Sequence, residues 1–229
     1  MIDLFADPLT VAPRLLGSLV TANGVTIRLT EVEAYCGASD PASHAFKGRT
    51  PRNNTMFLGP GHLYVYFTYG MHFCMNVVCW PDGRAGGCLI RAGEVVGGED
   101  LARARRPGVV HSRDLARGPA NLTKSLGITR EADGSPLRVD GTVMASSHSS
   151  DVVVSLTSRE DSSEDVDVRI ATGPRVGVSG VGGDGVLYPW RYWIEGDPTV
   201  SPYKRGGGSR TRQGQSAAGA ARESRLNPQ

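Results

Sequence analysis

The sequence predicts one α+β domain, a curved antiparallel sheet flanked by helices, and three observations carry that expectation. Strand-like runs rich in β-branched and aromatic residues are joined by the turn dipeptides Asn23-Gly24 and Tyr69-Gly70, the signature of hairpins. A few short helical segments are interspersed among them, as in a mixed sheet-and-helix domain. The 229 residues, 39% hydrophobic and 21% charged, suffice for a single core over residues 1–203 followed by a tail, residues 204–229.

Taken in order, a short helix is expected over residues 9–16, broken by Gly17. Residues 18–35 read as a hairpin turning at Asn23-Gly24, because that pair tolerates the positive φ of a two-residue turn. Alternation then places Val25, Ile27, Leu29, Glu31, Glu33 and Tyr35 on one face, so Glu33 shares a side with core residues. Residues 39–60, dense in Pro, Gly, Ser and Asn, form a long irregular loop of the kind that usually carries function. A second hairpin runs over residues 62–68 and 71–80, with Tyr64 and Tyr66 on one face, Tyr69 at the tip and Asn76 inside an apolar strand. Residues 85–96 form a strand containing Arg91, and residues 99–106 a helix ended by Pro107. Residues 118–127 have Pro119 in the first turn of a helix and Gly127 as its stop. Residues 141–168, rich in Ser and Asp, read as a surface excursion around a strand at 152–156. Residues 174–178 and 190–194 are later strands, and the chain from Gly206 is aperiodic, basic and disordered in expectation.

Composition narrows the classes. No run of 18 apolar residues exists, which excludes a spanning helix, and the N-terminus lacks the pattern of a signal peptide. The cytoplasm is therefore expected, with nucleoid association if the chain is bacterial. Cys36, Cys74, Cys79 and Cys88 show no C-x-x-C spacing and read as buried thiols rather than zinc ligands. The formal charge of +2 is unevenly spread: residues 204–229 hold six Lys or Arg and one acid, so the rest sums to about −3. Residues 131–169 carry nine acids against three Arg, whereas residues 102–124 carry six bases against Asp114 alone. Such polarity steers a polyanion to one face.

The window from 41 to 93 holds five Lys or Arg and a single acid, Asp82, together with tyrosines at 64, 66 and 69. A cationic surface rich in π-faces suits a nucleic acid. Glu33, next to that window, can hold and deprotonate a water as a general base. Its bland alternative is a buried glutamate paired to Arg28 or Arg91. Glu31 has the same parity, and if the two carboxylates sit side by side their repulsion would raise one pKa. Neither G-x-S-x-G around Ser43, nor H-E-x-x-H, a Walker loop or a deaminase signature occurs. A non-catalytic binding module would explain the tyrosines and arginines but would leave Glu33 without a task.

The ordered series Glu31-Val-Glu-Ala-Tyr35, Ser43-His44, Arg49-Thr-Pro-Arg-Asn53, Gly59-Pro-Gly61, Leu63-Tyr-Val-Tyr66, Tyr69-Gly-Met71, Phe73-Cys-Met-Asn76 and Leu89-Ile-Arg91 resembles the alkyladenine (3-methyladenine, methylpurine) DNA glycosylase family. Gly118-Pro119 and Pro174-Arg-Val-Gly177 extend the likeness, which covers roughly residues 8–202. The resemblance implies a fold similar to the C-terminal domain of formyltransferases and no metal or organic cofactor. It implies action on double-stranded DNA that contains alkylated or deaminated purines, and a pocket on a single domain makes a monomer the simplest expectation. By the same resemblance Glu33 is the general base and Arg91 a partner of the catalytic water and target phosphate. Tyr35, His44 and Tyr66 form the pocket for the flipped base, Asn76 its guanine-excluding floor, and Tyr69 the wedge left in the duplex. Lys47, Arg49, Arg52 and Arg175 are expected at the DNA backbone. With no lysine at the matched chemistry, and Lys47 the nearest candidate, a water nucleophile without strand nicking is expected.

Overall fold

The computed structural model describes residues 2–68, 70–81, 83–144, 153–159 and 169–207. The basic tail beyond 207, most of the excursion at 141–168, and Tyr69 lie outside the described residues.

Helix α1 spans Pro8–Leu15; Asp7 caps it by accepting from the amides of Leu9 and Thr10, and Pro8 fills a first-turn position that needs no donor. Strands β1 (Leu19–Ala22) and β2 (Val25–Cys36) meet at Asn23 and Gly24, whose φ angles of 49° and 78° make the expected tight turn. Strands β3 (Leu63–Thr68) and β4 (His72–Cys79) form the second hairpin, and β5 (Gly86–Gly97) returns between β4 and β2. Helices α2 (Glu99–Arg105) and α3 (Pro119–Leu126) follow, the latter stopped by Gly127 at φ 65°. The remaining strands are β6 (Leu137–Val139), β7 (Thr142–Val143), β8 (Val154–Thr157), β9 (Ile170–Gly173) and β10 (Arg191–Ile194).

Among the described residues these strands make one ten-stranded sheet: eight follow the order β3-β4-β5-β2-β1-β8-β6-β7, and β10 branches from β2 to pair with β9, all antiparallel except β6 with β8. The predicted α+β class with its curved sheet is what the chain adopts. Strand β2 is the pivot. Its first half pairs with β1 up to Leu19 opposite Arg28, and its second half pairs with β10 from Trp193 opposite Glu31.

The division falls at a bulge, and the bulge corrects the parity expectation. Against β5 the register breaks between Leu29 and Glu31 and again between Glu31 and Val32. Val25, Ile27 and Leu29 belong to the main core, but the next members are Val32 and Ala34. An extra residue turns over every side chain that follows, so Glu31, Glu33 and Tyr35 lie opposite the core face, not on it. The core face packs against the helices through Val11, Leu15, Ala102, Leu122 and Leu126. A smaller cluster of Ala45, Met56, Tyr64, Val78 and Ala85 occupies the other face under the long loop.

One further expectation changes. Residues 174–178 are not a strand: β9 ends at Gly173, and Pro174 has no N–H to give a ladder. In the basic stretch 102–124, Arg103 bonds Glu99, Arg105 reaches the carbonyls of Ser125 and Asn23, and Arg117 holds the carbonyl of Val200, whereas Arg113 and Lys124 are exposed. All four cysteines are buried free thiols. No helix among the described residues is long and apolar enough to cross a membrane.

Candidate active site

Register assembles the site. Glu33 on β2 lies opposite Leu89 on β5, Leu89 opposite Asn76 on β4, and Asn76 opposite Tyr64 on β3. Cross-strand partners share a face, so this row and the neighbouring pair Tyr66 and Cys74 build one wall. In front of it is a cavity of about 520 Å³ lined by Tyr35, His44, Tyr66, Asn76 and Arg91, closed on the far side by residues 176–179 and Lys204. That volume is ordinary for a site taking a small organic group.

The cavity has aromatic walls. His44 meets Tyr66 edge-on at 4.6 Å between centroids, and Tyr64 and Tyr66 lie 5.4 Å apart at 31°. His44 Nδ1 and the Tyr64 hydroxyl share a hydrogen bond of 3.0 Å. Asn76, nearly fully buried, donates its side-chain amide to the Tyr64 carbonyl at 3.1 Å, which fixes it at the floor. Burial raises the Tyr66 hydroxyl far above the ordinary tyrosine range, and in Tyr35 burial and the Glu33 charge do the same. Both phenols therefore stay protonated as donors at neutral pH.

Glu33, at the end of that row, is fully buried, and the cavity lining is made by its neighbours. Three lining residues hold it: the Tyr35 hydroxyl donates to Oε2 at 2.9 Å, Arg91 to Oε2 at 3.3 Å, and the Val176 amide to Oε1 at 2.7 Å. A carboxylate offers about four lone-pair sites, so about one is left for a water proton. Glu31 is placed differently. It accepts from Arg91 at 2.8 Å, Arg191 at 2.7 Å, and the amide and hydroxyl of Ser201 at 2.8 and 3.0 Å, which fills it. The two carboxylates do not simply repel. Burial would push the Glu31 carboxyl up, but the Arg91 and Arg191 guanidiniums outweigh it and hold it below the ordinary value. Arg91 thus bridges the two carboxylates, Glu31 and Glu33.

The loop cations divide. Lys47, Arg49 and Arg52 are exposed, Arg49 bonding Asn54 at 2.7 Å and lying 5.5 Å over Phe57. Arg52 stands near His44, whose pKa burial and the Arg52 charge lower together. A titration of the His44 ring by NMR should therefore give a midpoint below the ordinary 6.5. In Arg52→Ala that midpoint should rise. An unchanged midpoint would remove Arg52 from the pocket's electrostatics.

Arg175 corrects its expected role. It is fully buried and paired through both terminal nitrogens to Asp40 at 2.6 and 2.7 Å, so it cannot reach a DNA phosphate. Sequence reasoning also missed Val176, Lys204, Arg191 and Ser201. Only Val176 had a signal, as the residue after Arg175 in a matched motif. The other three come from segments that long-range folding alone brings to the site. Lys204, not Lys47, is the lysine at the cavity wall.

The profile of the methylpurine-DNA glycosylase family matches residues 3–198. A match of that extent on this fold and site defines a DNA repair enzyme, a DNA glycosylase that hydrolyses N-glycosyl bonds. The chain belongs to the methylpurine-DNA glycosylase family. Relatives provisionally named 3-methyladenine DNA glycosylase include one from Streptomyces avermitilis, 48% identical over 208 residues, covering 88% of this chain and 90% of the relative. Another, from Leifsonia xyli, is 48% identical over 211 residues, with 87% and 90% covered. A third, from Cutibacterium acnes, is 46% identical over 201 residues, with 88% and 98% covered.

Proposed function

We propose that this enzyme takes 3-methyladenine, 7-methylguanine and, among neutral lesions, hypoxanthine or ethenoadenine, from duplex DNA into the aromatic cavity, and hydrolyses the glycosidic bond with a water activated by Glu33. The observation that carries the proposal is the buried Glu33 carboxylate, held by Tyr35, Arg91 and Val176 at the cavity wall with one accepting site to spare. Cleavage builds oxocarbenium character on the sugar, so an adjacent carboxylate stabilises that charge and takes a proton from the attacking water. A purine alkylated at N3 or N7 is already cationic. It leaves readily, and tyrosine faces favour it over a neutral base. Tyr69, the residue that follows β3 in the sequence, is proposed to fill the gap in the duplex, where stacking returns roughly 1–3 kcal/mol of the cost of extrusion. A site complete within one chain supports a monomer.

Release of free base from four duplexes, each with one defined lesion, tests the reaction and ranks its substrates. Absence of release from all four would reject it. Asn76 carries a separate expectation. If it excludes the guanine 2-amino group, Asn76→Ala should raise 7-methylguanine release relative to hypoxanthine release. An unchanged ratio would remove it from discrimination. Because Lys204 lines the cavity, the absence of a lyase step is testable too. Borohydride added during turnover should trap no protein–DNA adduct, and a trapped adduct lost in Lys204→Ala would reverse that point.

A further inference from the structure

We infer that Arg175 is a positioning residue, one that sets the ring of Tyr35 at the angle on which an extruded base stacks; the inference rests on the base-flipping function proposed above. The guanidinium is fully buried. Its two terminal nitrogens bond Asp40 at 2.6 and 2.7 Å, the Ala34 carbonyl at 2.9 Å and the Gly182 carbonyl at 2.8 Å. Asp40 is itself fixed, accepting from the amides of Cys36 at 3.1 Å and Ala42 at 3.0 Å. So anchored, the guanidinium carbon lies 4.6 Å from the Tyr35 ring centroid, 5.2 Å from that of Trp190 and 5.8 Å from that of Tyr188. Its Nε finds no hydrogen-bond acceptor. Rings are what surround it.

Tyr35 lines the cavity and Arg175 does not, so the cation lies behind the ring. The hydroxyl of Tyr35 is tied to Glu33 at 2.9 Å. Edge and face are thus each held by one partner, and the face presented to the cavity follows from both. Stability alone gives little reason for such a pair. Burying an Arg and an Asp costs several kcal/mol per ion, and apolar side chains of similar volume commonly do as well or better. What apolar residues cannot supply is a flat plate whose orientation is set by a two-pronged carboxylate. A lysine cannot supply it either, since its ammonium is a point charge without a plane.

The rival route runs along the backbone. Val176, next in sequence, donates to Glu33 Oε1 at 2.7 Å, so Arg175 could act on the carboxylate instead of the ring. A double-mutant cycle separates the two. Single-turnover release of 7-methylguanine from a duplex is measured for wild type, Arg175→Lys, Tyr35→Leu and the double variant, alongside binding to abasic-site DNA. Arg175→Lys should slow release by roughly tenfold or more, the scale of a misplaced positioning group, with binding changed by less than about threefold. In the Tyr35→Leu background the same substitution should cost less than about threefold, because the ring it sets is gone. Should Arg175→Lys fail to fold, Asp40→Asn, which keeps the size but only one accepting oxygen, takes its place with the same expectations. Equal losses in both backgrounds, or no loss from Tyr35→Leu alone, would overturn the inference while leaving the glycosylase intact. Wild-type protein that releases no base would overturn both.

Discussion

Glu33→Gln should abolish base release while binding to abasic-site DNA stays within about threefold of wild type. Gln keeps the size and removes the proton acceptor and the charge. Loss of a general base costs about 10²–10⁴-fold, and loss of a preorganised charge beside the developing oxocarbenium adds to it. The three donors around the carboxylate sharpen the expectation. An amide has one accepting oxygen, and Tyr35 with Arg91 claims it on the Oε2 side. The amide NH2 then faces the Val176 N–H on the Oε1 side, donor against donor. That mismatch costs about 1–3 kcal/mol, a melting shift of roughly 2–12 °C for a chain of this size. A melting curve must therefore accompany the assay, at a temperature where the variant is folded. Single-turnover release within tenfold of wild type would reject Glu33 as the base.

How much of this was legible in the sequence depends on range. The Asn23-Gly24 turn, Pro119 and Gly127 state local backbone preferences, and the elements they punctuate appear where expected. The Tyr64 and Tyr66 alternation likewise survives, since β3 pairs with β4 without a register shift. Parity failed in β2 for a physical reason. Nothing in Leu29-Thr30-Glu31 marks a bulge, which falls where the neighbour of β2 changes from β1 to β10, about 160 residues further on. Glu33 is buried all the same, since β10 pairs with that half of β2 and the Val176 amide donates to its carboxylate. Arg175 was misread because a cation in a motif says nothing of burial, and its partner Asp40 is 135 residues away. Ser201 and Lys204 carried no local signal at all.

The second large effect is expected at Glu31, where Glu31→Ala should lower the melting temperature by about 6–20 °C or prevent folding. The substitution leaves Arg91 and Arg191, both nearly fully buried, without their shared carboxylate. Breaking a buried ion pair from one side costs about 3–5 kcal/mol, which for a domain of this size gives that shift. An exposed pair is the control. Glu94→Ala removes a partner of Arg28 that is half-exposed, and should cost less than about 1 kcal/mol. The pH dependence follows from the same charges. The folded state holds the Glu31 carboxyl below its ordinary value of 4.5, so the unfolded chain binds more protons across that interval. Stability from Glu31 is then complete above pH 4.5 and lost as pH falls through the folded pKa. Denaturant melts of wild type and Glu31→Gln should thus differ most near neutrality and converge toward acid; a gap that stays constant down to pH 3 would mean that the charge is not what binds these arginines. Activity should fall with stability, because Glu31 holds Arg91 Nε at 2.8 Å while the other arm of the same guanidinium meets Glu33 at 3.3 Å. Release the first contact and the second loses its anchor, so even the folded fraction of Glu31→Gln should excise more slowly than wild type.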